Sequence, residues 1–187
     1  PVLLSQRDLH PMKRLQWFFV LLGLMVARVG IAQTLAVGPV SGNEAALPVA
    51  VVPFAFEGAG LPPDTDISAV IGADLSRSGQ FRALSRQDIV ETPARPADVK
   101  FATWRLLKQN YLVVGRIADA GDGALRVEFE LFDVARQSRM IGLAISGPRT
   151  AMRDVAHQIA DPVYEKILGV RGAFWTRIAY VTSVGLG

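Results

Sequence analysis

The sequence contains no cysteine, which excludes disulfides, zinc–thiolate sites, thiol catalysis and a lipid-bearing N-terminal cysteine. Histidine is nearly absent too, with two in 187 residues, and only His157 falls after the N-terminal leader described below. No Gly-x-Ser-x-Gly nucleophile elbow occurs, and Gly121-Asp122-Gly123 opens a strand pattern rather than a helix, so no phosphate-cradling glycine loop is expected. No apolar run reaches the about 20 residues of a membrane-spanning helix. A basic surplus is missing where it would matter. Four of the 20 basic residues (Arg7, Lys13, Arg14, Arg28) and one of the 17 acidic ones (Asp8) precede Gln33, leaving 16 of each sign behind it. Nucleic-acid binding calls for a basic stripe, so nucleic acid is not expected as a partner.

What remains is half hydrophobic and one-fifth charged, a composition that supports a packed core. Met12-Lys13-Arg14 followed by the apolar run Trp17–Ala27 and the small-residue exit Gly30-Ile31-Ala32 has the layout of a secretory signal peptide cleaved between Ala32 and Gln33. Residues 1–11 read as upstream extension. Eleven residues of apolar run are too few to span a bilayer, so no stable membrane insertion is expected after cleavage, and the periplasm is the expected compartment.

Residues 33–47 are small, polar and interrupted by Gly and Pro, which suits a flexible tail or an edge strand. Val49–Phe54 reads as a buried strand. Asp66 should cap a helix whose buried face carries Ile67, Val70, Ile71 and Leu75, stopped at Ser78-Gly79. Phe81–Leu84 can form a short edge strand, and Gln87–Pro96 a surface connection. Phe101, Trp104 and Leu107 share one side of a second helix, with Arg105 and Lys108 turned to water. Tyr111–Ile117 and Leu125–Asp133 flank the hairpin signal Ala120–Ala124. In the second of these strands Leu125, Val127, Phe129 and Leu131 face inward and Arg126, Glu128 and Glu130 outward. Arg139–Ile145 adds a third strand. Thr150–Leu168 is the longest helical pattern, with Met152, Val155, Ile159, Val163 and Ile167 in one stripe and Pro162 expected to kink or split it. The expected fold class is α/β in the α+β sense: a small mixed sheet of four to five strands with two to three helices mainly on one face.

The run Gly169-Val170-Arg171-Gly172-Ala173-Phe174-Trp175-Thr176-Arg177-Ile178-Ala179-Tyr180-Val181 closely resembles the segment by which TolB-family proteins pass from an N-terminal domain into a β-propeller. Further similarity lies at Val49–Phe54, at Ile71–Leu75 with Ser78-Gly79, at Trp104, Val113–Gly115 and Leu131–Asp133, and at Glu165–Gly169. It spans roughly residues 33–184. The resemblance implies a domain over residues 48–170, a linker and first propeller strand over 171–187 with the chain truncated where the propeller begins, and a protein–protein adaptor of the Tol-Pal envelope complex. The family's mature N-terminal tail is the contact for the C-terminal domain of TolA, and its propeller is the contact for Pal. Carried over, the tail contact is Gln33, Thr34, Leu35, Ala36, Val37, Gly38 and Val40. Pairing of such a tail with a partner's sheet edge should be interrupted at Pro39, which has no N–H. Roles in outer-membrane integrity and cell division follow from the same resemblance. A monomer without cofactor is expected. The alternative is an outer-membrane assembly or secretion factor that uses the same domain as an oligomer building block.

Candidate chemical groups read as structural. His157 has Asp154 and Asp161 nearby on its helix, but it lacks a nucleophile and is expected to be a solvated residue rather than a catalytic one. Asp64, Asp66 and Asp74 are expected to serve as a cap and a solvated helix face rather than a metal site. Asp119 and Asp122 lack the spacing of a calcium loop. Glu128 and Glu130, with Arg126 beside them, are expected on an ordinary outer sheet face. Trp104 is expected in the core. No catalytic, cofactor or metal residue is expected.

Overall fold

The structure is a computed structural model and describes residues 46–176. The expected leader, its cleavage point at Ala32 and Gln33, and the tail contacts Thr34, Leu35, Ala36, Val37, Gly38 and Val40 lie outside the described residues, as do residues 177–187 of the expected linker and first propeller strand.

Strand β1 (Leu47–Val51) runs parallel to β3 (Phe81–Ala83) on one side and to β4 (Tyr111–Gly121) on the other. The two-residue β2 (Ala55–Phe56) adds to β4 just beyond β1, also in parallel. From β4 onward the sheet is an antiparallel meander through β5 (Ala124–Asp133) and β6 (Ser138–Pro148). The result is one mixed sheet of six strands. This is one more strand than the upper count expected from sequence, because β2 is too short to announce itself as a strand.

Local chemistry explains the elements. The β4–β5 turn places Asp122 and Gly123 at φ of 50° and 74°, which the left-handed geometry of a tight two-residue hairpin requires. Helix α1 (Ile67–Arg77) starts at Asp66, whose side chain accepts the Ala69 amide. Helix α3 (Met152–Leu168) ends at Gly169 with φ of 73°, the usual left-handed stop. Pro162 does not split α3: helix continues on both sides of it, and the buried stripe Val155, Ile159, Ala160 and Val163 holds both halves against the sheet.

Helices α1 and α3 cover one face of the sheet. Ile67, Ile71 and Leu75 of α1 and Met152, Val155 and Ile159 of α3 meet Val49, Val113, Val127, Phe129 and Leu131 there. The short α2 (Phe101–Leu106) closes a smaller core on the opposite face, where Trp104 is fully buried among Ala50, Val52, Leu112, Val114 and Phe132. Burying a side chain such as Val52, Leu112 or Val114 contributes about 1.5–3 kcal/mol of transfer free energy. The inward and outward alternation of β5 is as expected, and Gly115 of β4 is where backbone and ring approach most closely. A Cβ there would stand 2.5 Å from the Phe54 ring and 2.7 Å from the Glu128 carbonyl oxygen.

Candidate functional site

The single histidine of the described residues is not solvated. His157 Nδ1 lies 2.6 Å from Asp74 Oδ2, joining α3 to α1 across 83 positions of sequence. The His157 side chain keeps 20% of its exposure and that of Asp74 only 3%. Arg77 donates to the other Asp74 oxygen from one turn further along α1. An ionised carboxylate only accepts, so Nδ1 donates. Two expectations are corrected here. Asp74 does not lie on a solvated helix face, and His157 is not a solvated residue but a partly buried one bonded to Asp74. The sequence did hold a signal. Ile67, Ile71 and Asp74 are four and then three residues apart, which places Asp74 on the buried arc of α1. Among the described residues no hydroxyl hydrogen-bonds to His157, so the imidazole has an orienting acid and no nucleophile beside it.

Asp161 is occupied elsewhere. Its carboxylate accepts the backbone N–H of Phe174 at 2.8 Å and that of Trp175 at 3.3 Å. Asp154 is exposed on α3. Neither carboxylate near His157 in the sequence of α3 hydrogen-bonds to it.

Several of the remaining acids have partners. Burial alone would raise the Asp66 carboxyl. Hydrogen bonds from Ser68 and the Ala69 amide, with the Arg86 guanidinium beside them, outweigh it and hold Asp66 below its ordinary value. Asp133 is held low first by the Arg136 amide and, against burial, by the Arg136 side chain at 2.6 Å. Asp119 accepts from the Ala59 amide at 2.6 Å and so ties the Gly/Pro loop to β4. Glu128 pairs with Arg116 and, at 3.0 Å, with Arg126. Glu130 pairs with Arg139 at 3.3 Å. Glu128 and Glu130 are therefore each held by arginines of their own on the outer sheet face. Asp64 is exposed, and Asp122 sits in the hairpin turn. Among the described residues no group of three metal-ligating side chains converges, and no helix is long and apolar enough to cross a membrane.

The clefts are shallow. One of about 400 Å³ lies beside Arg105, Lys108, Gln109, Tyr111 and Asp133. Its carboxylate is already committed to Arg136. Another, of about 230 Å³, runs between α1 and β3, past Ser68, Gly72, Ala83 and Ile89. This volume is below the about 300 Å³ at which small-molecule sites begin.

The fold and its charged groups define a small α/β domain in which ionic side chains join one element to another. The family model described as TolB amino-terminal domain matches residues 36–140, more than half of the chain. The chain belongs to the TolB amino-terminal domain family. Among curated relatives, a Tol-Pal system protein TolB from Xanthomonas euvesicatoria pv. vesicatoria is 57% identical over 94% of this chain and 40% of its own length. One from Xanthomonas oryzae pv. oryzae shows the same identity and coverage. The chain thus spans about two-fifths of the length of these relatives. A crystal structure of TolB from Acinetobacter baumannii superposes with a TM-score of 0.58 at 26% identity, over 70% of this chain and 30% of that one.

Proposed function

We propose that this chain is a component of the Tol-Pal envelope system that acts as a periplasmic protein–protein adaptor and not as an enzyme. Its tail, Gln33 to Val40, binds the C-terminal domain of TolA. In the full-length protein a β-propeller following the junction binds Pal, and the two contacts together support outer-membrane integrity and division. The observation that carries this is the 57% identity over 94% of the chain to proteins named Tol-Pal system protein TolB. The family match supports it by beginning at Ala36, inside the proposed tail. Residues 1–32 act as extension and signal peptide, removed after Ala32.

Physical chemistry supports a tail of this kind. Leu35, Val37 and Val40 give it a short apolar alternation, and an extended segment can add to a sheet edge through backbone hydrogen bonds while alternate side chains select the partner. Ordering it on binding costs entropy, so a modest affinity is expected.

Titrating the ¹⁵N-labelled chain, starting at Gln33, with the TolA C-terminal domain tests this residue by residue. Shift changes confined to residues 33–42 are expected. Changes centred instead on β4–β6 would move the contact to the domain, and self-association without any response to TolA would favour the assembly-factor alternative.

A further inference from the structure

The segment after α3 reads in the sequence as linker, yet its first residues are built into the domain. Gly172 is buried and lies so close to α3 that a Cβ on it would stand 2.5 Å from Asp161 Oδ1 and 2.8 Å from Asp161 Cα. Two residues on, the Asp161 carboxylate accepts the successive backbone N–H groups of Phe174 and Trp175. The Phe174 ring then packs edge-on against Tyr164, with centroids 5.4 Å apart, and Tyr164 packs edge-on against Phe81 of β3 at 5.8 Å. Thr176 Oγ1 closes the segment back onto the Ala173 carbonyl at 3.1 Å.

The segment is thus held at Gly172, Phe174 and Trp175: Gly172 lies too close to Asp161 for any Cβ, the Asp161 carboxylate grips two consecutive amides, and an edge-on ring pair reaches the sheet. A flexible linker shows none of these. Linkers run through solvent with few contacts to either side. Carboxylate bonds to N–H groups are also roughly twice as strong as neutral ones.

We infer that Asp161, Gly172 and the Tyr164–Phe174 ring pair form a latch that fixes the direction in which the chain leaves the domain. The chain then reaches Thr176 along a path set relative to α3. Asp161 is a positioning residue here. This stands on the geometry of residues 161–176 and not on which partner the tail or any later segment binds.

The test is backbone ¹⁵N relaxation and amide exchange on the 187-residue chain and its Asp161→Ala, Asp161→Asn and Gly172→Ala variants. In the unaltered chain, Phe174 and Trp175 should show order parameters near about 0.85, like the helix, rather than below about 0.6. In Asp161→Ala both amides should become mobile and exchange about tenfold faster or more, while Val155 and Ile159 stay protected. Asp161→Asn, which keeps one side-chain carbonyl oxygen, should recover part of the protection. Gly172→Ala should release the segment with Asp161 intact. Mobile Phe174 and Trp175 amides in the unaltered chain would overturn the latch, as would amides that stay rigid in Asp161→Ala. Global loss of protection in both Asp161→Ala and Gly172→Ala would also overturn it, because the segment would then be core and not a latch.

Discussion

His157 and Asp74 meet at 2.6 Å between the two helices that cover one face of the sheet, and they account for the domain's most buried carboxylate. A lone histidine with acids three and four positions away invites an enzymatic interpretation. In the structure the pair instead joins α3 to α1, beside the apolar packing that the two helices share.

Replacing His157 with Ala should therefore destabilise the domain by about 1–3 kcal/mol, since it leaves a buried carboxylate with only Arg77 as side-chain partner. Asp74→Ala should cost a similar amount, and the double variant should cost less than the sum, by about 0.5 kcal/mol or more. Urea unfolding with an unchanged m-value measures this through the midpoint. Strictly additive losses would show that the two side chains do not cooperate. Binding to a partner through the tail should be unaffected in all three.

Gly115 makes a second expectation. Ala at this position would drive a methyl into the Phe54 ring and the Glu128 carbonyl, both within 2.7 Å of the Cβ site. A destabilisation of about 1–3 kcal/mol is expected from overpacking. Thermal unfolding would register it as a fall in Tm, and an unchanged Tm would mean that β4 and the Phe54 loop separate at little cost.

The acid limb of stability should depend on Asp66 and Asp133. Both carboxyls sit below their ordinary value of 3.8 in the folded protein, so at low pH the unfolded chain takes up protons first. Their contribution is complete well above pH 3.8 and is lost as pH falls through the folded values. Asp66→Asn and Asp133→Asn should each lower stability at neutral pH and flatten its decline below about pH 5. Equal slopes in wild type and variants, measured by denaturant unfolding from pH 7 to pH 3, would contradict this. Asp66→Asn separates charge from capping, because Asn remains a good helix cap.

Much of this fold is legible in the sequence because its signals are local. The two-residue turn at Asp122-Gly123, the alternation of β5, the cap at Asp66 and the stripe from Met152 to Val163 each depend on neighbours within a few positions, and each appears where its pattern places it. The misreadings came from longer range. Asp74 and His157 are far apart in sequence, so their bond could not be read from spacing. The position of Asp74 on the apolar arc of α1 was the available sign. Pro162 reads as a kink or a split because its local cost is real, and the helix runs on through it with Ile159 and Val163 buried on either side. The grip of Asp161 on Phe174 and Trp175 was invisible because its acceptors and donors are a side chain and two backbone amides, which leave no trace in residue type. Gly172 alone hinted at it.

The central claim, an adaptor that recognises its partner through the tail, is tested most directly by calorimetric titration. Residues 33–176 and a shorter form beginning at Leu47 are each titrated with the TolA C-terminal domain, with the fold of both checked by circular dichroism. Binding by the long form and none by the short one is the result expected. Equal binding by both would place the contact on the domain, and no binding by either folded form would contradict the adaptor assignment for the tail.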